Sequence, residues 1–229
     1  PGLRATACTM SRNHPTSRGF TLIELLVAIA VMALMAILSW RGLDGMHRAQ
    51  TQTLARADEV LVLQAGLAQW KADLDAMVEL PQISSLDWDG RVLRLTRRSS
   101  ATAGDGLRVV AWTRRAGSGG YWLRWQSPAL SSLGDWNAAW SQAERWGQNP
   151  GDAEKKREVA ILPADDWQIF YFRSNAWSNP LSSDGATGAP VQPAVPEGVR
   201  SVLTLAPGQA LSGRITLDWV RPTVGGGKS

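Results

Sequence analysis

Residues 18–40 read RGFTLIELLVAIAVMALMAILSW. Arg18 and Gly19 end a basic leader, Phe20 opens an apolar stretch, and a single carboxylate, Glu24, stands inside it. A charged group in hydrocarbon is costly, less so near a helix end, so an acid at this position calls for a reason. If the chain is cut between Gly19 and Phe20, Glu24 becomes the fifth residue, about one helical turn from a new amine. Where such helices pack together, a neighbour's amine and this carboxylate can relieve each other's desolvation and fix one axial register.

The plain readings of the same stretch are weaker. Residues 25–40 carry no charge but fall short of the roughly 20 apolar residues of an ordinary span. A secretory signal peptide would need a small-residue cleavage site after the apolar core, and Ser39-Trp40-Arg41 is a poor one. An uncleaved signal anchor would leave Glu24 to snorkel.

The leader, 1–19, holds Arg4, Arg12 and Arg18 and no acid, three of the four excess charges of the chain. The mature chain from Phe20 onward is close to neutral, and its bases are dispersed among acids, which argues against nucleic acid as a partner. Positive charge ahead of an apolar span places the leader in the cytoplasm and the bulk of the chain outside. Met10 is read as the true start, giving a ten-residue leader. Cys8 and His14 lie in the leader, so the mature chain has no thiol and one histidine, His47, read as a solvated helix residue. No phosphate-cradling loop, zinc spacing or dinucleotide fingerprint is present, Asp87/Asp89 and Asp165/Asp166 read as turn aspartates, and neither an enzyme, a metal nor a cofactor is expected.

The string GFTLIE at 19–24 resembles the class III signal of type IV pilins and type II secretion pseudopilins, with Gly19, Phe20 and Glu24 matching residue by residue. The resemblance implies cleavage after Gly19 by a prepilin peptidase that also methylates the Phe20 amine, and an assembly role for Glu24. It makes Leu25, Leu26, Val27, Ile29, Val31, Leu34, Ile37 and Leu38 the membrane anchor. LSWRGLDGMHRAQ at 38–50 is similar to the helix of J-type minor pseudopilins of type II secretion, and GRITLDWVRP at 213–222 more loosely to their closing strands. The implied partners are the peptidase/methyltransferase, minor pseudopilins of I and K types together with H and G types, the inner-membrane assembly platform, and lipid. The implied site is the bacterial inner membrane, single-pass, with a periplasmic C-terminal domain. A minor pilin of a type IV pilus shares every N-terminal feature and stays open, as does an adhesive, carbohydrate-binding tip protein.

The expected fold class is α+β, pilin-like: a long N-terminal helix, hydrophobic in its first half, packed on an antiparallel β-rich domain. The segments are 1–19 leader, 20–40 apolar helix, 41–80 amphipathic continuation, 81–221 domain and 222–229 flexible tail. Val60, Leu63, Leu67, Trp70, Leu74 and Met77 form one stripe at steps of three and four, while Glu59, Lys71 and Asp73 are read as lying off it. An unbroken helix from Phe20 to Glu79 would span about 90 Å, with Gly42 and Gly45 as bends and Pro81 as the stop. Strands are expected at 92–96, 107–113, 121–125, 158–162, 167–173, 199–205 and 213–220, a short helix at 133–147, and loops at 149–151 and 178–196.

Twelve tryptophans, ten of them after residue 85, serve chiefly as core in a domain without disulfides. Trp122 and Trp125 fall on opposite faces of one strand, so at least one is expected to be exposed. Trp136, Trp140 and Trp146, on one side of the short helix, are the candidate partner interface.

Overall fold

The apolar stretch and the stripe after it form one helix, α1 (Leu22–Asp75), with no break at Gly42 or Gly45. The structure is a computed structural model and describes residues 19–99, 106–116, 119–183 and 194–222. The leader through Arg18, most of the 178–196 loop and the 223–229 tail lie outside the described residues. The chain divides into two units at Thr53/Leu54.

In the first unit α1 buries nothing. The eight anchor residues from Leu25 to Leu38 are 43 to 66 % exposed. Among the described residues α1 is the one helix long and apolar enough to cross a membrane.

In the second unit α1 buries Leu63, Gly66, Trp70, Asp73 and Leu74, with Leu67 and Met77 packed alongside. It stops at Asp75, four residues before the expected end. There the backbone turns to the sheet: Arg98 N donates to Ala76 O and Val78 N to Thr96 O, both at 3.0 Å. Strand-type bonds replace the last helical turn, and Leu80, restricted by Pro81, cannot re-enter it.

The sheet runs β1 (Leu86–Trp88), β2 (Val92–Arg98), β3 (Leu107–Arg115), β4 (Tyr121–Gln126), β5 (Glu158–Arg173), β7 (Gly198–Leu205) and β8 (Gly213–Val220), all antiparallel. A short β6 (Ala176–Ser178) pairs with the end of β5. Helices α2 (Leu133–Gln148) and α3 (Asp152–Lys155) lie between β4 and β5, and α4 (Pro180–Ser183) follows β6. The two strands expected at 158–162 and 167–173 are one. Its first half pairs with β4 and its second with β7, and a register shift opposite Trp122/Leu123 and another between Ala164 and Asp166 let the chain change partners without ending.

Both faces of β2–β4 are covered. Leu93, Leu95, Val110, Trp112 and Trp122 pack toward α1 with Trp70, Trp167 and Trp219. Val92, Val109, Ala111, Leu123 and Trp125 pack toward α2 with Trp136, Ala139, Ala143 and Trp146. That second cover corrects two expectations. Trp122 and Trp125 are both buried, because each face has its own helix. Trp136 and Trp146 are core residues: Trp136 Nε1 donates to Thr96 Oγ1 at 2.9 Å and Trp146 Nε1 to Glu158 Oε2 at 2.7 Å. Trp140 alone of the three is half-exposed, stacked on Trp136 at 5.0 Å with the Arg94 guanidinium 5.0 Å from its centroid.

α2 starts at Ser132, whose hydroxyl accepts from Asp135 N at 3.1 Å, a side-chain cap of the usual kind. It approaches the sheet closely at Gly147, where an added Cβ would stand 1.7 Å from Val92 Cγ2 and 3.1 Å from Val92 Cβ. Gly147→Ala is therefore expected to push α2 off β2 at a cost of about 1–3 kcal/mol, the range of an overpacked core. A thermal melt of the full chain in detergent checks this; an unchanged midpoint would count against the tight approach.

Candidate functional site: a capped apolar helix start

The candidate site is built on four residues. Thr21 is the N-cap of α1, and Glu24 is its third helical residue. Thr21 N and Thr21 Oγ1 donate to Glu24 Oε2 at 3.0 and 2.9 Å, and Glu24 N donates to Thr21 Oγ1 at 3.4 Å. This is a reciprocal capping box, which satisfies donors that a helix start would otherwise leave open. Both side-chain bonds go to Oε2; Oε1 has no partner among the described residues. The carboxylate thus closes its own helix with one oxygen and presents the other.

Gly19 and Phe20 precede the cap and are non-helical and exposed. A peptide bond outside the helical ladder is one that an extended-chain protease can engage. Gly19 also has no packing reason to be glycine, since an added Cβ would meet nothing within 4 Å. At the other end of the apolar run Trp40 is exposed and followed by Arg41, an aromatic and a base of the sort that sit at a membrane–water boundary.

The role of Thr21 escaped the sequence reading, although Thr-x-x-Glu ahead of an apolar run signals such a box. His47 is on the exposed face of α1, beside an Arg48–Asp44 bridge of 2.8 Å. The aspartate pairs act locally: Asp89 Oδ1 accepts from Arg91 N and Val92 N at 2.8 and 2.7 Å in the β1–β2 turn, and Asp87 pairs with Arg94. Asp166 accepts from Gln168 at 2.8 Å. No group of three metal-ligating side chains occurs among the described residues. Trp177, half-exposed, lies 5.2 Å from Phe172 and has Arg200 4.2 Å from its centroid.

The second unit holds its own polar centre. Asp73, expected to lie off the buried stripe, is fully buried. Its carboxylate accepts from Arg124 Nε and Nη2 at 2.7 and 2.9 Å, from Trp112 Nε1 and Gln69 Nε2 at 2.9 Å each, and from Arg97 Nη1. One acid on α1 thereby ties β2, β3 and β4 to the helix.

The helix α1 is apolar through its first half and seated on an antiparallel sheet through its last turns. Residues 15–40 match the family model described as the prokaryotic N-terminal methylation motif, which spans Gly19, Phe20, Thr21 and Glu24. Among solved structures, the chain is similar to one in the GspK-GspI-GspJ complex from the type 2 secretion system of enterotoxigenic Escherichia coli. That likeness has 18 % identity and a TM-score of 0.44, and covers 71 % of this chain and 96 % of that one.

Proposed function

We propose that this chain is a minor pseudopilin of J type, a non-enzymatic subunit at the tip of a periplasmic pseudopilus in type II secretion. A prepilin peptidase cuts after Gly19 and methylates Phe20; α1 then holds the chain in the inner membrane, second unit outward, until it joins I- and K-type subunits on the assembly platform. The observation that carries the reading is the capped start of α1, where a scissile Gly19–Phe20 bond lies outside the helix and Glu24 keeps one oxygen free. The likeness of residues 38–50 to J-type helices supports the finer assignment, and the dispersed charge of the mature chain fits a protein partner better than nucleic acid.

Intact mass and N-terminal sequence of the chain, purified from membranes containing a prepilin peptidase, test this. The expected product begins with N-methyl Phe20 and has lost residues 1–19. A chain that keeps its leader, or is cut after Trp40, would overturn the reading. Loss of secreted exoproteins on deletion, with surface pili unaffected, separates a pseudopilin from a minor pilin.

A further inference from the structure

The two ends of the sheet are unlike. β1 is three residues long, short enough to offer little to another strand. β8 has eight residues, no proline, and pairs with β7 in one unbroken register from Gly198↔Val220 to Leu205↔Gly213. In that same register Arg221 N donates to Glu197 O at 2.9 Å. An antiparallel ladder bonds at every second pair, so Gly213, Ile215, Leu217 and Trp219 turn their backbone groups to β7. The N–H and C=O groups of Arg214, Thr216, Asp218 and Val220 face away, with no partner among the described residues.

A groove of about 300 Å³ lies beside this edge, lined by Leu67, Ala68 and Lys71 of α1 and by Leu217 and Trp219 of β8. Ile215 and Leu217 turn inward yet stay half-exposed, because no described residue covers them beyond β8. The rim charges are largely answered: Lys71 bridges Asp75 at 2.5 Å and Arg200 bridges Asp218 at 2.6 Å. Arg214 has no acidic partner among the described residues.

We infer that β8 is a docking edge that takes an extended segment of another polypeptide as an added strand, with apolar side chains in the α1–β8 groove and an acid facing Arg214. Unpaired backbone selects an extended chain, the groove selects alternate apolar residues, and the unanswered guanidinium selects a carboxylate. The inference goes beyond the assembly reading and rests on unit two alone, whatever the processing of the N-terminus.

The test uses full chain in detergent and a synthetic eight-residue peptide alternating valine and threonine, with one glutamate set to face Arg214. Binding is followed by fluorescence polarisation, and hydrogen exchange reads the amides of Thr216 and Asp218. The peptide is expected to bind and to slow both amides, while a copy N-methylated at its bonding amides binds at least about tenfold more weakly. Thr216→Pro removes one outward donor and spares the β7 ladder, so it should keep the melting midpoint and weaken the peptide about tenfold. Equal binding of the N-methylated peptide, or no protection at saturation, overturns the inference even if Thr216→Pro fails to fold. Self-association through β8 without peptide binding overturns it in favour of a second copy.

Discussion

Asp73→Ala is expected to lower the stability of the second unit by about 3–5 kcal/mol, the cost of leaving buried charge without its partner. The substitution removes the one carboxylate that Arg97 and Arg124 share, with both guanidiniums mostly buried and Asp73 fully so. It also strips the acceptors of Trp112 Nε1 and Gln69 Nε2. Net stabilities run at roughly 5–15 kcal/mol, so the loss is a large share of the whole and should lower the midpoint by about 10 °C. Asp73→Asn keeps the shape and one acceptor but still takes the shared negative charge away from two arginines, and should fall nearer to Ala than to wild type. Lys71→Ala, which breaks an exposed pair with Asp75, should cost at most about 0.5 kcal/mol. Near-UV circular dichroism of the full chain in detergent tracks these melts, because Trp70, Trp112, Trp122 and Trp167 each stand within 6.4 Å of at least two of the others in the cluster that Asp73 borders. A shift of under 2 °C for Asp73→Ala would show that the sheet holds α1 without this carboxylate.

Much of this architecture was legible because local and tertiary forces agree. The stripe from Leu63 to Leu74 buries the side chains that its period selects, and the strand expected at 213–220 forms with Trp219 turned into the core. Legibility failed where a distant element decides the outcome. Nothing local announces that α2 covers the second face of β2–β4, so Trp136 and Trp146 read as interface when they are core. Asp73 read as lying off the buried stripe since its two arginines lie 24 and 51 residues away in sequence. Asp165-Asp166 looked like a turn inside β5, because the partner change that accommodates them is a property of β4 and β7. At the candidate site Gly19, Phe20 and Glu24 stand out from local sequence, while the cap made by Thr21 is visible only when the helix start is placed to the residue.

Thr21 matters for the second large effect, because its bonds to Glu24 let the cap and the proposed assembly role be tested apart. Glu24→Ala is expected to be cleaved and methylated normally, since Gly19–Phe20 lies outside the helix, yet to enter filaments poorly. That result alone cannot distinguish a frayed helix start from a lost charge. Glu24→Gln can: glutamine serves in a capping box as glutamate does, while offering no charge to a neighbour's amine. If assembly depends on the free Oε1 meeting an amine in a low-dielectric contact, Gln should fail as Ala does, with incorporation down on the order of tenfold or more. Thr21→Val should then be mild, because it removes the cap hydroxyl and leaves the charge. Quantifying the mature subunit in sheared filaments against that left in membranes measures all three variants. Normal incorporation of Glu24→Gln would show that the carboxylate serves its own helix, and the register of neighbouring subunits would have to be set by the apolar faces of α1 instead.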